Sequence, residues 1–506
     1  MFPEAAARVV CLASTLLLTS SAWAAVPPAA GSPEAFDAEV GRYWSSFQGW
    51  WVPDLQTVIP EGALSRWTLR VTGDGTYSDN IDRTENPREA FLANGNVGLS
   101  WLRRSSRLDG SLEARHIEPL YRSDALEGRD LRSDALAAAL RWQAARNLSL
   151  SGGGDVTRSA ESGVDAAPEG VRSTYQNRFD NYAAHAEYSW RASQAVSNTS
   201  SYQFHYRHYR SDESEGEDTR SHVAATRLAV QFAPTDTLSG GYRYAREQTG
   251  GDANRTNHGA DITWEHVLRF APENPPQRVS LGYAVDRGNP SEGSDYWLHS
   301  ATLGYSLPFS PTTDVGLRGG MQWLVPGHGE ADRFWSWGAD LSHRFTAYTT
   351  ATLGVSQALE YALPSSRTER TELTDVRRVR AALDSQVARR WDGHLEGGYE
   401  EGYPKGESLD AAGSGDYWVG RGAGSLRVRL GQRSFALAEA RLSRRNEDQT
   451  EDDYWLYGGG ISFHAQFLEW LSGSVRYSHE RQRMAAESDL ASYRENRVEA
   501  SVTFEW

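Results

Sequence analysis

RENRVEASVTFEW, residues 494–506, alternates between apolar and polar side chains over most of its length. In an extended strand, residues that are two positions apart share a face. One face of this segment therefore carries the apolar residues Val498, Ala500, Val502, Phe504 and Trp506. This alternation predicts a strand that separates two different media, although a strand of a soluble β-sandwich has the same pattern.

The same period of two recurs in about 22 segments from residue 66 to the end of the chain. Their connections alternate in length, with short ones such as APTD (233–236) and long ones such as EQTGGDANRTN (247–257) and DRGNPSEGSD (286–295). Transmembrane barrels have tight periplasmic turns, long external loops and an even number of strands. The sequence predicts an all-β fold, a transmembrane antiparallel up-and-down β-barrel of about 22 strands, within a range of roughly 20–24.

The chain ends in its last predicted strand, on an aromatic residue. This end resembles the C-terminal signature of bacterial outer-membrane barrels, which the barrel assembly machinery recognises. The resemblance implies that Phe504 and Trp506 form the assembly signal and that the assembly machinery is a partner. It also implies localisation in the outer membrane of a Gram-negative cell.

The N-terminal part divides into two segments before the barrel, which we predict over residues 66–506. Residues 1–24 resemble a secretory signal peptide, with a short apolar core and a small-residue cleavage site ending at Ala24; a retained anchor is the alternative. Residues 25–65 are predicted to form a periplasmic segment with an amphipathic helix, or else a strand-like or disordered leader. About forty residues are too few for a globular plug, so we expect a lumen that is open or narrowed by inward-folded loops.

The composition excludes several classes of site. The mean hydropathy of −0.61 and the 24% of charged residues suit a soluble protein, but also a barrel in which only every second strand residue faces lipid. The single cysteine, Cys11, lies in the signal peptide, which leaves no disulfide framework and no thiolate metal site. Phosphate-binding loops and metalloprotease motifs are absent from the sequence. We predict no enzyme activity, no metal, no cofactor and no nucleic acid partner.

The tripeptide DYW occurs at 295–297, 416–418 and 453–455, each time where a predicted external loop enters a strand. Tryptophan prefers the membrane interface, because indole is amphipathic. We therefore predict an outer aromatic girdle of Trp297, Trp418 and Trp455. A second girdle at the short turns is predicted to contain Trp101, Trp190 and Trp470.

The other face of the alternation predicts the lining of the lumen. It carries ten arginines: Arg70, Arg207, Arg243, Arg378, Arg380, Arg421, Arg427, Arg429, Arg476 and Arg497. Rings of arginine favour anions in a pore, whereas arginine–carboxylate ladders only stiffen a barrel wall, and both interpretations stay open. The net charge of −15 lies largely in the external loops. These loops either contact outer-membrane lipid and lipopolysaccharide through divalent cations or are solvated loop tips.

The start of the barrel, GTYSDNIDRTENPREAFLANGNVGLSWLRRSSRLDGSLEARHIEPLYRSD (75–124), carries a family likeness. It resembles the β-barrel porin family found beside exopolysaccharide and exosortase gene clusters, in which a Y-[ST]-D-N-I turn ends the first strand. The matching residues here are Tyr77, Ser78, Asp79, Asn80 and Ile81. The resemblance implies a channel that exports an exopolysaccharide with periplasmic export partners. The alternatives are a passive porin for small solutes, including anions, and a non-transport barrel that acts as an enzyme or an assembly scaffold.

Overall fold

The computed structural model describes thirteen stretches of the chain. These are residues 65–80, 87–122, 132–160, 178–210, 218–250, 253–269, 275–289, 295–327, 331–361, 373–405, 416–447, 454–484 and 492–506. The predicted signal peptide, nearly all of the predicted periplasmic segment, and Ile81 lie outside them. No helix in these stretches is long and apolar enough to cross a membrane.

Every regular element in the described stretches is a β-strand, and the predicted number of 22 is confirmed. The strands are β1 (Arg66–Ser78), β2 (Ala90–Arg103), β3 (Leu108–Arg122), β4 (Ser133–Ala145), β5 (Leu148–Ala160), β6 (Arg178–Arg191), β7 (Val196–Tyr209), β8 (Thr219–Ala233), β9 (Asp236–Thr249), β10 (Ala253–Leu268), β11 (Gln277–Asn289), β12 (Tyr296–Ser310), β13 (Thr313–Pro326), β14 (Asp332–Thr346), β15 (Thr349–Tyr361), β16 (Leu373–Ala388), β17 (Trp391–Lys405), β18 (Tyr417–Arg429), β19 (Ser434–Glu447), β20 (Tyr454–Leu468), β21 (Leu471–Met484) and β22 (Tyr493–Glu505).

The sheet is closed, because each strand pairs antiparallel with its neighbours in the chain and β1 pairs with β22. At the seam, Leu69 and Trp506 exchange two backbone hydrogen bonds of 2.9 Å. Closure removes the exposed strand edges that a membrane does not tolerate, since lipid offers no hydrogen bonds to free backbone groups. The fold is therefore the predicted transmembrane up-and-down barrel.

One prediction of a long external loop is wrong. We expected EQTGGDANRTN (247–257) to be an external loop, but β9 continues to Thr249 and β10 begins at Ala253. Its polar residues continue the ladder instead, with Gln248 opposite Asn254. Gly250 has a φ of 61°, a left-handed conformation that glycine adopts without strain. Polar composition thus does not distinguish a loop from a strand that extends beyond the membrane.

The family motif at residues 77–80 lies at the closing seam. The buried Ser78 hydroxyl donates to a Glu495 carboxylate oxygen at 2.8 Å. Asp79 accepts the backbone N–H of Asn496 at 2.6 Å, and the Asn80 amide donates to the Arg494 carbonyl at 3.0 Å. These bonds join β1 to β22 above the last pair of the ladder, so the motif contributes to barrel closure.

We predict that Ser78→Ala weakens the closed barrel. The change removes one donor to the buried Glu495 carboxylate, which Arg497 still contacts, and it removes the hydroxyl that accepts the Asn80 N–H at 3.2 Å. A hydrogen bond to a charged group contributes about 1.5–3 kcal/mol. Samples are heated to a series of temperatures before electrophoresis, and the temperature at which the band of the folded barrel disappears should fall. Ser336→Ala is the control, because this inward hydroxyl makes no side-chain hydrogen bond within the described part of the chain. Equal effects of the two changes would contradict a closing role for Ser78.

Candidate functional site

The strand register defines an outward and an inward face. Residues paired across antiparallel strands point to the same side of the sheet, and Trp67 and Leu69 face Trp101 and Leu99. The side chains of Trp67, Leu69 and Leu99 are exposed, as expected for an apolar band that contacts lipid. The alternate residues, such as Arg70 opposite Glu505, line the interior.

All ten candidate arginines belong to the inward set of the register. Six of them contact a carboxylate: Arg70 with Glu505 at 2.6 Å, Arg243 with Asp286 at 2.9 Å, Arg378 with Glu400 at 2.6 Å, Arg429 with Asp392 at 3.1 Å, Arg476 with Glu439 at 3.1 Å, and Arg497 with Glu495 at 2.9 Å. Two others lie over phenylalanine rings, Arg207 over Phe179 at 4.9 Å and Arg427 over Phe435 at 4.0 Å. The inner wall is thus largely charge-compensated.

Several ion pairs cross an intervening strand, and glycine provides the space. Arg243 on β9 reaches Asp286 on β11 over Gly259 on β10. A Cβ at Gly259 would lie 2.5 Å from Asp286 Oδ1. Arg227 reaches Asp261 over Gly241 in the same way, and a Cβ at Gly241 would lie 2.5 Å from Asp261 Oδ1. Glycine on the inner face therefore allows charges two strands apart to meet.

Arg380 and Arg421 occupy a different setting. Arg380 lies between Gly354 and Gly398 in the register and is exposed to the lumen. Among the described residues it has no hydrogen-bond or ion-pair partner. Arg421 is paired with Gly398 and Ser443. Arg380 is therefore the inward candidate whose charge is best placed to act on a permeating ion.

The tryptophans and tyrosines of the DYW repeats point in opposite directions. Trp297, Trp418 and Trp455 lie on the outward face, in register with Val325, Glu401 and Arg444. Trp101 packs 6.1 Å from Trp67 at the other end of the barrel, Trp190 lies opposite Leu148, and Trp470 stacks 6.0 Å from Phe504, which lies 5.9 Å from Trp506.

The inward residue of DYW escaped the sequence analysis. Tyr296 faces Gly288, and Tyr417 faces Gly402. Each tyrosine ring occupies the space that a Cβ on its facing glycine would need. The Tyr417 hydroxyl also donates to Glu400 at 3.1 Å, next to Arg378. The alternation alone places tyrosine opposite to tryptophan, but the glycine that receives it is visible only in the register.

The outer end of β15 turns inward. The buried Leu359 packs with Tyr296, Leu298 and Leu324, which lie on the inner side of β12 and β13. The Gln322 side chain holds Leu359 by accepting its N–H at 2.9 Å and donating to its carbonyl at 3.4 Å. The described part of this hairpin thus narrows one side of the mouth.

The wall has an interior wide enough for a hydrated chain. Its 22 strands, spaced by about 4.8 Å and tilted by about 40°, would enclose a circular cylinder roughly 40 Å across between opposite backbones. Within the described stretches no group of His, Cys, Asp and Glu is arranged to hold a metal ion. The candidate functional site is therefore the inner wall itself.

No protein-family model and no curated protein sequence matches the chain. Similar solved structures include the siderophore receptor PirA from Pseudomonas aeruginosa, with 12% identity and a TM-score of 0.53 over 87% of this chain and 80% of that one. The FrpB iron transporter from Neisseria meningitidis (F5-1 variant) has 9% identity and a TM-score of 0.57 over 87% and 82%. The ferric preacinetobactin receptor BauA from Acinetobacter baumannii has 10% identity and a TM-score of 0.55 over 87% and 80%.

At these identities the likeness shows the fold alone, which is the large closed barrel of outer-membrane proteins. The fold, with its outward apolar band between aromatic borders, places the chain in the outer membrane of a Gram-negative cell. The ligand of a neighbour does not transfer with the fold.

We predict that Gly259→Ala destabilises the barrel by about 1 kcal/mol, because the new methyl group displaces the Asp286 carboxylate and weakens its hydrogen-bonded ion pair with Arg243. Thermal unfolding in detergent, followed by circular dichroism, measures the change. The matched control is Gly398→Ala, whose Cβ would meet Val379 O at 3.6 Å and Arg380 Cγ at 3.9 Å, both ordinary contacts. Equal stability of the two variants would argue against a spacing role for Gly259.

We predict that Arg380→Ala lowers the preference of the channel for anions more than the double variant Arg243→Ala/Asp286→Ala does. The double variant removes both members of a compensated pair, so it leaves the net charge of the wall unchanged. The reversal potential across a planar bilayer with a salt gradient reports this preference. Measurements near 0.01 M salt increase the effect, because the Debye length is then about 30 Å. Equal shifts in reversal potential for the two variants would mean that Asp286 does not compensate the charge of Arg243.

Proposed function

We propose that this outer-membrane barrel is a channel for the export of an exopolysaccharide. The observation that carries the proposal is the inner wall, in which arginines are matched by carboxylates on the same or nearby strands. A compensated polar wall attracts neither anions nor cations strongly. It still offers many donors and acceptors to the hydroxyl groups of a sugar.

Passage of a polymer requires contacts that are weak and repeated, because conduction fails when a single site binds too tightly. The compensated pairs are distributed around the wall, from Arg70–Glu505 at the seam through Arg243–Asp286 to Arg378–Glu400. Within the described stretches, the inward end of β15 narrows one side of the mouth. This arrangement favours a hydrated chain over a compact ligand held in one pocket.

The resemblance at residues 75–124 supports the same substrate class, since that family is found beside exopolysaccharide gene clusters. The motif residues themselves act at the seam, where Ser78 contacts Glu495. They therefore support the barrel type, and the association with polysaccharide rests on the family likeness. We expect periplasmic export partners to deliver the polymer.

The test is single-channel conductance of the refolded mature protein in a planar bilayer, with uncharged dextran oligomers of increasing length added on either side. We predict an open channel with blocking events whose duration rises with oligomer length. Arg380→Ala should change ion preference and leave the block by neutral sugar unchanged.

Two other outcomes would overturn the proposal. Large conductance without a length-dependent block would indicate a passive porin for small solutes. A barrel that shows no conductance with or without dextran would indicate a non-transport barrel, provided that shortening residues 362–372 between β15 and β16 does not open it.

A further inference from the structure

The outward face carries arginines at the extracellular ends of its strands. Within the described residues four of them lie over an aromatic ring, and two of these four also form an ion pair. Arg287 lies 5.4 Å from the Trp297 ring and pairs with Asp295 at 2.9 Å. Arg377 lies 4.8 Å from the Tyr403 ring, and its guanidinium is 4.0 Å from Glu401. At these places the outward charge is compensated by the protein.

One sector, on β19–β22, brings four outward arginines together. Arg444 and Arg483 flank Trp455 in one row of the register, and Arg481 lies between Tyr457 and Arg494 in the adjacent row. Among the residues that the structure describes, none of these four arginines forms an ion pair. Asp79, on the same face, is engaged instead by the backbone N–H and the side-chain amide of Asn496.

The geometry of this sector suits a bound anion. Arg481 lies directly opposite Arg494, and like charges in that position are destabilising when nothing lies between them. The Arg444 guanidinium lies 4.8 Å from the Trp418 ring and 4.6 Å from the Trp455 ring. Cation–π contacts of this kind hold the plane of the guanidinium and leave its N–H edges available.

The position of the sector along the membrane normal indicates which anion can reach it. Trp418 and Trp455 belong to the outer aromatic border, which lies at the level of the lipid headgroups. A cleft of about 480 Å³ lies at the extracellular end of this sector. Arg444, Trp455, Tyr457 and Arg483 line it from the outward face, and Arg445, Tyr454 and Met484 line it from the inward face. Arginine binds phosphate with paired hydrogen bonds. An anion that reaches this outward position from the membrane is the headgroup of a lipid in the outer leaflet.

We propose that Arg444, Arg481, Arg483 and Arg494 form a binding site for the phosphate groups of a phosphorylated glycolipid in the outer leaflet. Trp455 and Tyr457 contact its sugar and upper acyl region, and the arginines bind its phosphates. This site lies outside the lumen and does not depend on the proposed transport function.

The test is native mass spectrometry of the full-length barrel in detergent, titrated with bis-phosphorylated lipid A, with dephosphorylated lipid A or with inorganic phosphate. We expect retention of bis-phosphorylated lipid A, at least tenfold weaker retention of the dephosphorylated form, and no effect of inorganic phosphate at the same concentration. Arg444→Gln/Arg483→Gln should weaken binding of bis-phosphorylated lipid A about tenfold. The control is Arg333→Gln, an outward arginine on β14 opposite Trp323, which should bind as the unchanged protein does.

A second variant separates loss of the site from loss of the fold. Arg481→Glu replaces a repulsive pair with an ion pair to Arg494, so the lipid-free barrel should melt at the same or a higher temperature while it binds less lipid A. Equal binding of both lipid A forms would overturn the proposal, as would unchanged binding by the double variant. Competition by inorganic phosphate at equal concentration would assign the site to a free anion.

Discussion

The structure depends on the requirement that every backbone polar group inside the membrane has a partner. Lipid supplies none, so the sheet must close. The pairing of β1 with β22 closes it, through the exchange of hydrogen bonds between Leu69 and Trp506 and the Arg70–Glu505 ion pair beside them. Closure then separates an outward face, which meets lipid, from an inward face, which meets water. The alternation in sequence follows from that separation.

The fold could be predicted because its signal is local. A period of two requires only neighbouring residues, and it yielded the number of strands and the inward set that contains Arg243 and Arg380. The errors and omissions have a common cause. The β9–β10 connection was misjudged because Gln248 and Asn254 are polar and yet continue the ladder. Strand extension beyond the membrane is determined by cross-strand pairing, which composition does not report.

Whether each inward arginine is paired with a carboxylate could not be predicted for the same reason. Arg243 and Asp286 are 43 residues apart in the chain and meet only because Gly259, on the strand between them, has no side chain. The sequence left selectivity and scaffolding equally open for all ten arginines. The register separates them, since Arg378 is paired with Glu400 whereas Arg380, two residues later, lies between two glycines. Alternation assigns a residue to a face but does not identify its neighbour.

The charge of arginine is compensated in different ways on the two faces of the barrel. Inside, water and nearby carboxylates compensate a guanidinium, and glycine lets the two charges approach across a strand. Outside, at headgroup depth, the protein compensates Arg287 with Asp295 but leaves Arg481 opposite Arg494. A fold that satisfies its charges so widely on the inner wall would gain stability from a carboxylate at this position as well. At the proposed lipid site a phosphate of the outer leaflet would supply this negative charge, so that the barrel and its membrane together complete the charge balance.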